Sequence, residues 1–347
     1  MMRTCCWPVL FLVLLGGCTP PAAELPPTLP ASAPPPARYS VLDRVQQRGV
    51  LWCGVAPMPG FATQNADGTW SGFTVDLCRA IAAALFGEAA PHEIRNVTAD
   101  RRFTALQTGD VDVLLHPLAP TLSRDAENAI DFVPPFWLNG LGLMARAPLS
   151  PAPRPTLAAL NGQNLCVDAS VDGPRLQQAL ADRNLTVVLE TDPTPPARYQ
   201  RGDCRAIAAD QSQLLAWRRR FPDPAQHVLL PELWSLEPYT AAVVADDSRW
   251  RDAVSWIFYA LLRAEELGLT AANIRTPAAR SEIAQFVGTE GALGIALGLG
   301  PDWAVQAVQA VGNYQELYRR HLEPLGWPRT VNRLWQQGGL FYSPPFR

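Results

Sequence analysis

The strongest constraint on the fold is a strand–helix–strand alternation that runs through two separate stretches of the chain. In the first, residues 50–55 form an apolar run of strand length. After a Pro/Gly turn and the tight Ala66-Asp67-Gly68 corner, residues 74–86 repeat apolar side chains at helical spacing through Leu77, Ile81 and Leu85, ending at Gly87. A helix over 99–108 and a strand over 111–115 continue the pattern. After a Pro-rich break at 148–155 the alternation returns: strand 164–167, helix 175–183, strands 186–190 and 206–209, helix 211–221 and strand 227–230. Residues 240–245 then read as a strand, and 250–263 as an amphipathic helix with Val254, Ile257, Phe258, Leu261 and Leu262 on one face. Alternation of this kind predicts an α/β fold built on parallel sheets with right-handed crossovers. Periodicity alone leaves open whether the last strand and helix make a third unit or return to the first.

The length of 347 residues suggests about two globular units, at roughly 100–200 residues each. The net charge of -3 and the absence of a clustered basic face exclude nucleic-acid binding, which draws its affinity from counterion release at phosphates. Every one of the 29 basic residues is an arginine, and the one basic run, Arg218-Arg219-Arg220, reads as a solvated helix face. Eleven tryptophans and 12 phenylalanines spread along the chain give it enough apolar surface to bury, unlike a disordered segment.

The N-terminus reads as an address. Arg3 precedes an apolar run over 9–15, too short for the roughly 20 residues that span a bilayer, and Leu15-Gly16-Gly17-Cys18 has the form of a bacterial lipobox. Residues 1–18 are therefore expected to be a lipoprotein signal peptide with Cys18 as the lipidated anchor; an ordinary leader cleaved nearby is the alternative. Residues 19–38 carry eight prolines and a single acidic group, Glu24, as expected of a semi-rigid tether.

Of seven cysteines, Cys5 and Cys6 would leave with the leader and Cys18 would take lipid. That leaves Cys53, Cys78, Cys166 and Cys204, an even number in an exported chain. Sequence alone allows three pairings; the distribution over the two halves favours Cys53 with Cys78 and Cys166 with Cys204. No CxxC or HxxxH spacing supports a zinc site. Catalytic signatures are equally sparse: there is no GxSxG elbow or P-loop, His92-Glu93 lacks the second histidine of a zinc-protease helix, and the glycines of 294–300 do not fit GxGxxG. No catalytic residue, cofactor or metal is expected, and the balance favours a binder over an enzyme.

Several segments carry a resemblance that periodicity does not. Gly72-Phe73-Thr74-Val75-Asp76-Leu77-Cys78-Arg79-Ala80, Arg102-Phe103-Thr104-Ala105-Leu106-Gln107, Gly109-Asp110-Val111-Asp112-Val113-Leu114, Thr121-Leu122-Ser123-Arg124-Asp125 and Ile130-Asp131-Phe132 resemble the first lobe of periplasmic amino-acid-binding proteins of ABC importers, solute-binding family 3. Glu265-Glu266-Leu267-Gly268, Val311-Gly312-Asn313-Tyr314, Leu334-Trp335 and Gly338-Gly339-Leu340 are similar to the C-terminal region of its general L-amino-acid-binding subgroup, and the four cysteines fall where that subgroup has them. The resemblance runs from about residue 40 to the C-terminus. It implies a two-lobed type II periplasmic-binding fold with two crossing segments: lobe I from 40–138 plus 238–347, including a C-terminal extension, and lobe II from 139–237. Its implied role is that of an extracytoplasmic, periplasmic component, membrane-anchored and monomeric, which closes its hinge on an amino-acid-like ligand and hands it to ABC permease subunits in the inner membrane.

The resemblance also implies a site. Arg124 matches the arginine that clamps the ligand α-carboxylate, with surface pairing to Asp125 or Glu127 as the plainer alternative. Asp210 matches the aspartate that accepts the α-ammonium, and it could also cap the helix that follows. Phe61 fits an aromatic near the cleft, or core packing. Two departures stand out. His116-Pro117-Leu118-Ala119 replaces a polar stretch, so the hydroxyl that usually helps to hold ligand is missing at Ala119, although its backbone N–H remains. Ser170-Val171-Asp172 replaces Gly-Thr-Thr, setting an acid where a carboxylate would dock unless Arg175 compensates. Together they suggest a shifted specificity, a cationic or otherwise altered amino-acid-like ligand touched by His116 or Asp172. Two other functions fit the same fold: a cyclohexadienyl or arogenate dehydratase-like enzyme with His116 as acid, and a ligand-sensing lipoprotein without a transport role.

Overall fold

In the computed structural model, residues 40–147, 156–276, 280–327 and 329–347 are described. The leader, Cys18, the proline-rich tether and the break at 148–155 lie outside them. The strands are β1 (Leu51–Val55), β2 (Thr63–Gln64), β3 (Trp70–Ser71), β4 (His92–Asn96), β5 (Val113–Leu118), β6 (Ile130–Asn139), β7 (Leu141–Arg146), β8 (Asn164–Asp168), β9 (Val188–Asp192), β10 (Ala206–Asp210), β11 (His227–Leu229) and β12 (Glu237–Val244). The helices are α1 (Val41–Arg48), α2 (Phe73–Phe86), α3 (Arg102–Gln107), α4 (Leu122–Glu127), α5 (Gly173–Ala181), α6 (Pro195–Arg201), α7 (Gln211–Arg218), α8 (Ser248–Glu266), α9 (Ser281–Phe286), α10 (Leu293–Ala296), α11 (Trp303–Val311) and α12 (Tyr314–His321).

Two five-stranded sheets organise these elements, one in the order β4-β1-β5-β12-β6 and the other β11-β7-β10-β8-β9. The expected parallel arrangement holds for β4-β1-β5 and for β9-β8-β10. It does not hold for the rest: β12 runs antiparallel to β5 and β6, and β7 antiparallel to β10 and β11. The reason lies in the crossings. Strand β6 ends in the first sheet at Asn139 and β7 begins the second at Leu141, while the chain returns from β11 to β12, so the returning strand enters the first sheet head to tail. Gly140 sits where the two crossings touch. A Cβ there would lie 2.0 Å from the carbonyl oxygen of Ser235.

Each half is closed by its own disulfide. Cys53 on β1 is bonded to Cys78 on α2, and Cys166 on β8 to Cys204 just before β10, with Cα separations of 6.1 and 5.5 Å. The first sheet packs against α2, α8, α11 and α12, so residues from the far C-terminus complete its core. Asn332 shows how: its side chain accepts from the Leu138 N–H at 2.7 Å and donates to the Leu138 carbonyl at 2.9 Å, holding β6 by its backbone. Buried Asp76 on α2 meets Arg320 and His321 of α12, both at 2.6 Å, and Arg79 at 2.8 Å. Asp112 fastens β5 to β1 by accepting from the Trp52 N–H at 2.9 Å, and it pairs with Arg48 of α1.

Candidate functional site

The second sheet presents Asp210 at the C-terminal end of β10. Its carboxylate accepts from the Ser212 N–H at 2.8 Å, capping α7, and from the Ser212 hydroxyl. Its other oxygen accepts from Asn139 Nδ2, which also donates to the Tyr239 hydroxyl at 2.6 Å. Asn139 ends one crossing strand and Tyr239 lies on the other, so the aspartate is tied to both crossings. Burial pushes the Asp210 carboxyl above its ordinary range, against the opposing bonds from Ser212 and Asn139. Capping and a ligand role are compatible here, since the Asn139-bound oxygen keeps a free lone pair.

Asp210 opens on a cavity of about 270 Å³ that also involves Val171, Asp172, Arg175, Trp234 and Glu237. Asp172 is the N-cap of α5 and accepts from the Arg175 N–H at 3.1 Å, with Gly173-Pro174 following as the first turn. Arg175 lines the same cavity. Acidic groups therefore outnumber basic ones on this wall, a setting suited to an ammonium group.

A second group of predicted residues gathers on the first sheet, around the C-terminal end of β5. His116 and Ala119 come from β5 and the turn after it, and Arg124 from α4, which Thr121 caps. Arg124 donates to the Ala119 carbonyl at 2.6 Å and joins no ion pair among the described residues, so the alternative pairing with Asp125 or Glu127 is absent there. Burial first, and then Arg102, lower His116 from the ordinary 6.5 to about 4. The imidazole is neutral at pH 7 and its Nδ1 has no hydrogen-bond partner.

The structure thus collects Asp210, Asp172 and Val171 at one cavity, and Arg124, His116 and Ala119 at another place on the other sheet. Phe61 belongs to neither group. It is fully buried, with ring centroids 5.5 Å from both Trp137 and Trp327, and packs the core beneath the crossings. Gly72 enforces this packing: it has φ +135°, and a Cβ would lie 2.2 Å from the Phe61 carbonyl oxygen.

Sequence reasoning assigned no role to Arg102, Asn139, Tyr239 or Trp234. The signal for Arg102 was present, since it opens one of the recognised segments; Asn139 and Tyr239 acquire meaning only when the crossings are paired. Among the described residues no group of three or more His, Cys, Asp or Glu side chains could hold a metal ion, and no helix is long and apolar enough to cross a membrane.

Two sheets exchanged through a pair of crossing strands, each offering charged groups at its strand ends, define a two-lobed type II periplasmic binding fold with a cleft between the lobes. Residues 51–272 match the bacterial extracellular solute-binding proteins, family 3, and the chain belongs to that family. It is 37% identical over 326 residues to the general L-amino acid-binding periplasmic protein AapJ of Rhizobium johnstonii, covering 90% of this chain and 94% of that one. It is 38% identical over 325 residues to the glutamate/glutamine/aspartate/asparagine-binding protein BztA of Rhodobacter capsulatus, with 90% and 94% covered. A solved structure of an ABC transporter periplasmic binding protein from Brucella ovis with glutathione bound is 36% identical, with a TM-score of 0.70, covering 89% of this chain and all of that one.

Proposed function

We propose that this protein is the periplasmic substrate-binding component of an ABC importer and closes two lobes on a single L-amino acid. Lobe I comprises residues 40–138 and 238–347, and lobe II residues 139–237. Arg124 clamps the ligand α-carboxylate with its planar guanidinium, the Ala119 N–H adds a backbone donor, and Asp210 takes the α-ammonium. The observation that carries this reading is the arrangement at Asp210: a partly buried carboxylate held by Ser212 and Asn139, facing a cavity and tied to both crossing strands. An ammonium arriving at Asp210 thereby acts on the segments about which the lobes turn. The curated relatives support the ligand class and the transport role.

Cys18 anchors the mature chain through its lipid, with the tether over 19–38 spacing the lobes from the membrane, and the protein works as a monomer with inner-membrane permease subunits. Labelled palmitate incorporated by the wild type and lost in Cys18→Ser tests the anchor; label retained in that variant overturns it. The ligand reading is tested by thermal shift against a panel of L-amino acids. A ligand bound only by the native state at a hundred times its Kd adds about 2.7 kcal/mol of stability. The shift should be lost in Arg124→Ala and in Asp210→Ala. Undiminished shifts in both variants would refute the assignment.

A further inference from the structure

The C-terminal part of the chain does more than complete the core of the first sheet, because it also receives a helix of the second half. That helix is α7. Its start belongs to the second sheet: the Gln211 N–H donates to the Gly140 carbonyl at 3.0 Å, Asp210 is its cap, and Leu214 is buried with Met144 of β7 and Ile207 of β10. The next side chain, Leu215, is buried in the other core, the one that holds Phe61, Trp137 and Trp327. Adjacent residues of one helix thus fasten to different halves.

The segment that meets α7 is a single 3-10 turn, Glu323–Leu325, with Gly326 and Trp327 after it. It is fixed from behind. Leu322 is fully buried, and the turn at Gly60 closes so tightly that a Cβ there would lie 2.8 Å from a Leu325 methyl and 2.9 Å from a Leu322 methyl. Trp327 packs edge-on against Trp137 of the crossing strand β6, with ring centroids 4.4 Å apart. On the α7 side, Arg218 Nη1 lies over Gly326, where a Cβ would collide with it, and the Arg218 Nε donates to the Pro224 carbonyl at 2.9 Å, which aims the guanidinium. Of the basic run read as a solvated face, Arg219 and Arg220 are exposed but Arg218 is half-buried. A cavity of about 220 Å³ remains between Met58, Leu325 and Trp327 on one side and Ser212 and Ala216 of α7 on the other.

In this arrangement Asp210 opens on a cavity that Arg124 does not line. For one ligand to reach both, α7 must move with the second sheet relative to the first, and its contacts with 325–327 must give. Those contacts favour the arrangement without ligand. An apparent Kd is the intrinsic one divided by the closed fraction, so whatever holds α7 in place weakens binding.

We propose that residues 322–327 form a seat for α7 that holds the lobes apart, and that Leu325 and Arg218 are positioning residues which set ligand affinity without touching ligand. The inference rests on the two-lobed binding reading above and extends it to a part of the chain outside the cleft. The seat acts on closure and not on the ligand side chain, so it scales the affinity for every ligand alike.

Three variants test this. Leu325→Ala and Arg218→Ala loosen the seat, whereas Ala216→Leu puts three more carbons into the cavity and strengthens it. In small-angle X-ray scattering of the ligand-free proteins, with the tether common to all, the two loosened variants should have a smaller radius of gyration than the wild type. In calorimetry with L-glutamate, L-glutamine and L-alanine they should bind about threefold more tightly or better, and Ala216→Leu should bind more weakly by a similar factor. Tighter binding on deleting packing atoms is a result that a merely structural role does not give. Should Leu325→Ala fail to fold, the half-buried Arg218→Ala still decides. An unchanged radius, or an unchanged or weaker affinity, in the loosened variants that fold would overturn the seat while leaving amino-acid binding intact. If the wild type binds none of the three amino acids, the amino-acid reading falls, and the ligand-free radii still judge the seat.

Discussion

His116 makes the stability of the ligand-free protein depend on pH in a way that one substitution can isolate. In the folded chain the imidazole is lowered to about 4 by burial and by Arg102, with Arg124 adding to the effect, whereas in the unfolded chain it titrates at the ordinary 6.5. Between these values the unfolded chain binds the proton and the folded one does not. This contribution is therefore fully present above pH 6.5 and is lost as pH falls toward 4. At pH 5 the ratio of binding polynomials is about 30, equivalent to about 2 kcal/mol of lost stability, against roughly 0.2 kcal/mol at pH 7. Urea unfolding of the wild type and His116→Asn at both pH values measures it, because every other titrating group is common to the two proteins. The wild type should lose about 2 kcal/mol more than the variant between pH 7 and pH 5. Parallel losses would show that the imidazole is not held neutral by its surroundings.

Other parts of the molecule give further tests. Asp76→Asn should destabilise by about 2 kcal/mol or more in urea, because it leaves Arg320 and His321 without their buried partner; the figure is kept low because Arg320 is 45% exposed. Burial pushes the Asp76 carboxyl up, but His321, Arg320 and Arg79 together hold it below the usual carboxylate range, so the wild-type advantage over this variant should persist at pH 7 and fade as the solution is acidified below that range. Replacing both cysteines of either disulfide by serine should cost about 3–4 kcal/mol by the chain-entropy relation, for closed loops with separations of 25 and 38, measurable as a lower urea midpoint. Gly140→Ala drives a methyl into the Ser235 carbonyl and should cost about 1–3 kcal/mol while weakening ligand binding, since the crossings must spread. Wild-type affinity in a Gly140→Ala protein that still folds would separate crossing geometry from binding.

Local signals carried most of the α/β alternation. The strand expected over 164–167 is observed as Asn164–Asp168 and the helix over 74–86 as Phe73–Phe86, because periodicity and a closing glycine act within a few residues. Strand β6 escaped notice since Pro134-Pro135 interrupts it; proline cannot donate to a ladder, and the pairing tolerates it where the register shifts, with Pro135 opposite Thr240. The antiparallel edges escaped for another reason, that the direction of a returning strand is set by what it pairs with and not by its own composition.

The site divides in the same way. Asp172 was read only as an acid set where a carboxylate would dock; its capping of α5, ahead of Gly173-Pro174, emerges from the structure. Arg124 and Asp210 were legible only through resemblance to a family. The Asn139 bridge to Asp210 and Tyr239 joins residues far apart in the chain, which no local pattern brings together. Phe61, read as either a cleft aromatic or a core residue, is decided by packing against Trp137 and Trp327.

The central claim is that one amino acid is held by both lobes at once, through Arg124 on one and Asp210 on the other. A crystal structure of the protein grown with L-glutamate tests it directly. The account predicts the ligand α-carboxylate in a two-point bond with the Arg124 guanidinium and its ammonium within hydrogen-bond distance of Asp210, with the lobes closed around it. A ligand seated against one lobe alone, or placed away from Arg124 with that side chain still bonded only to the Ala119 carbonyl, would contradict it.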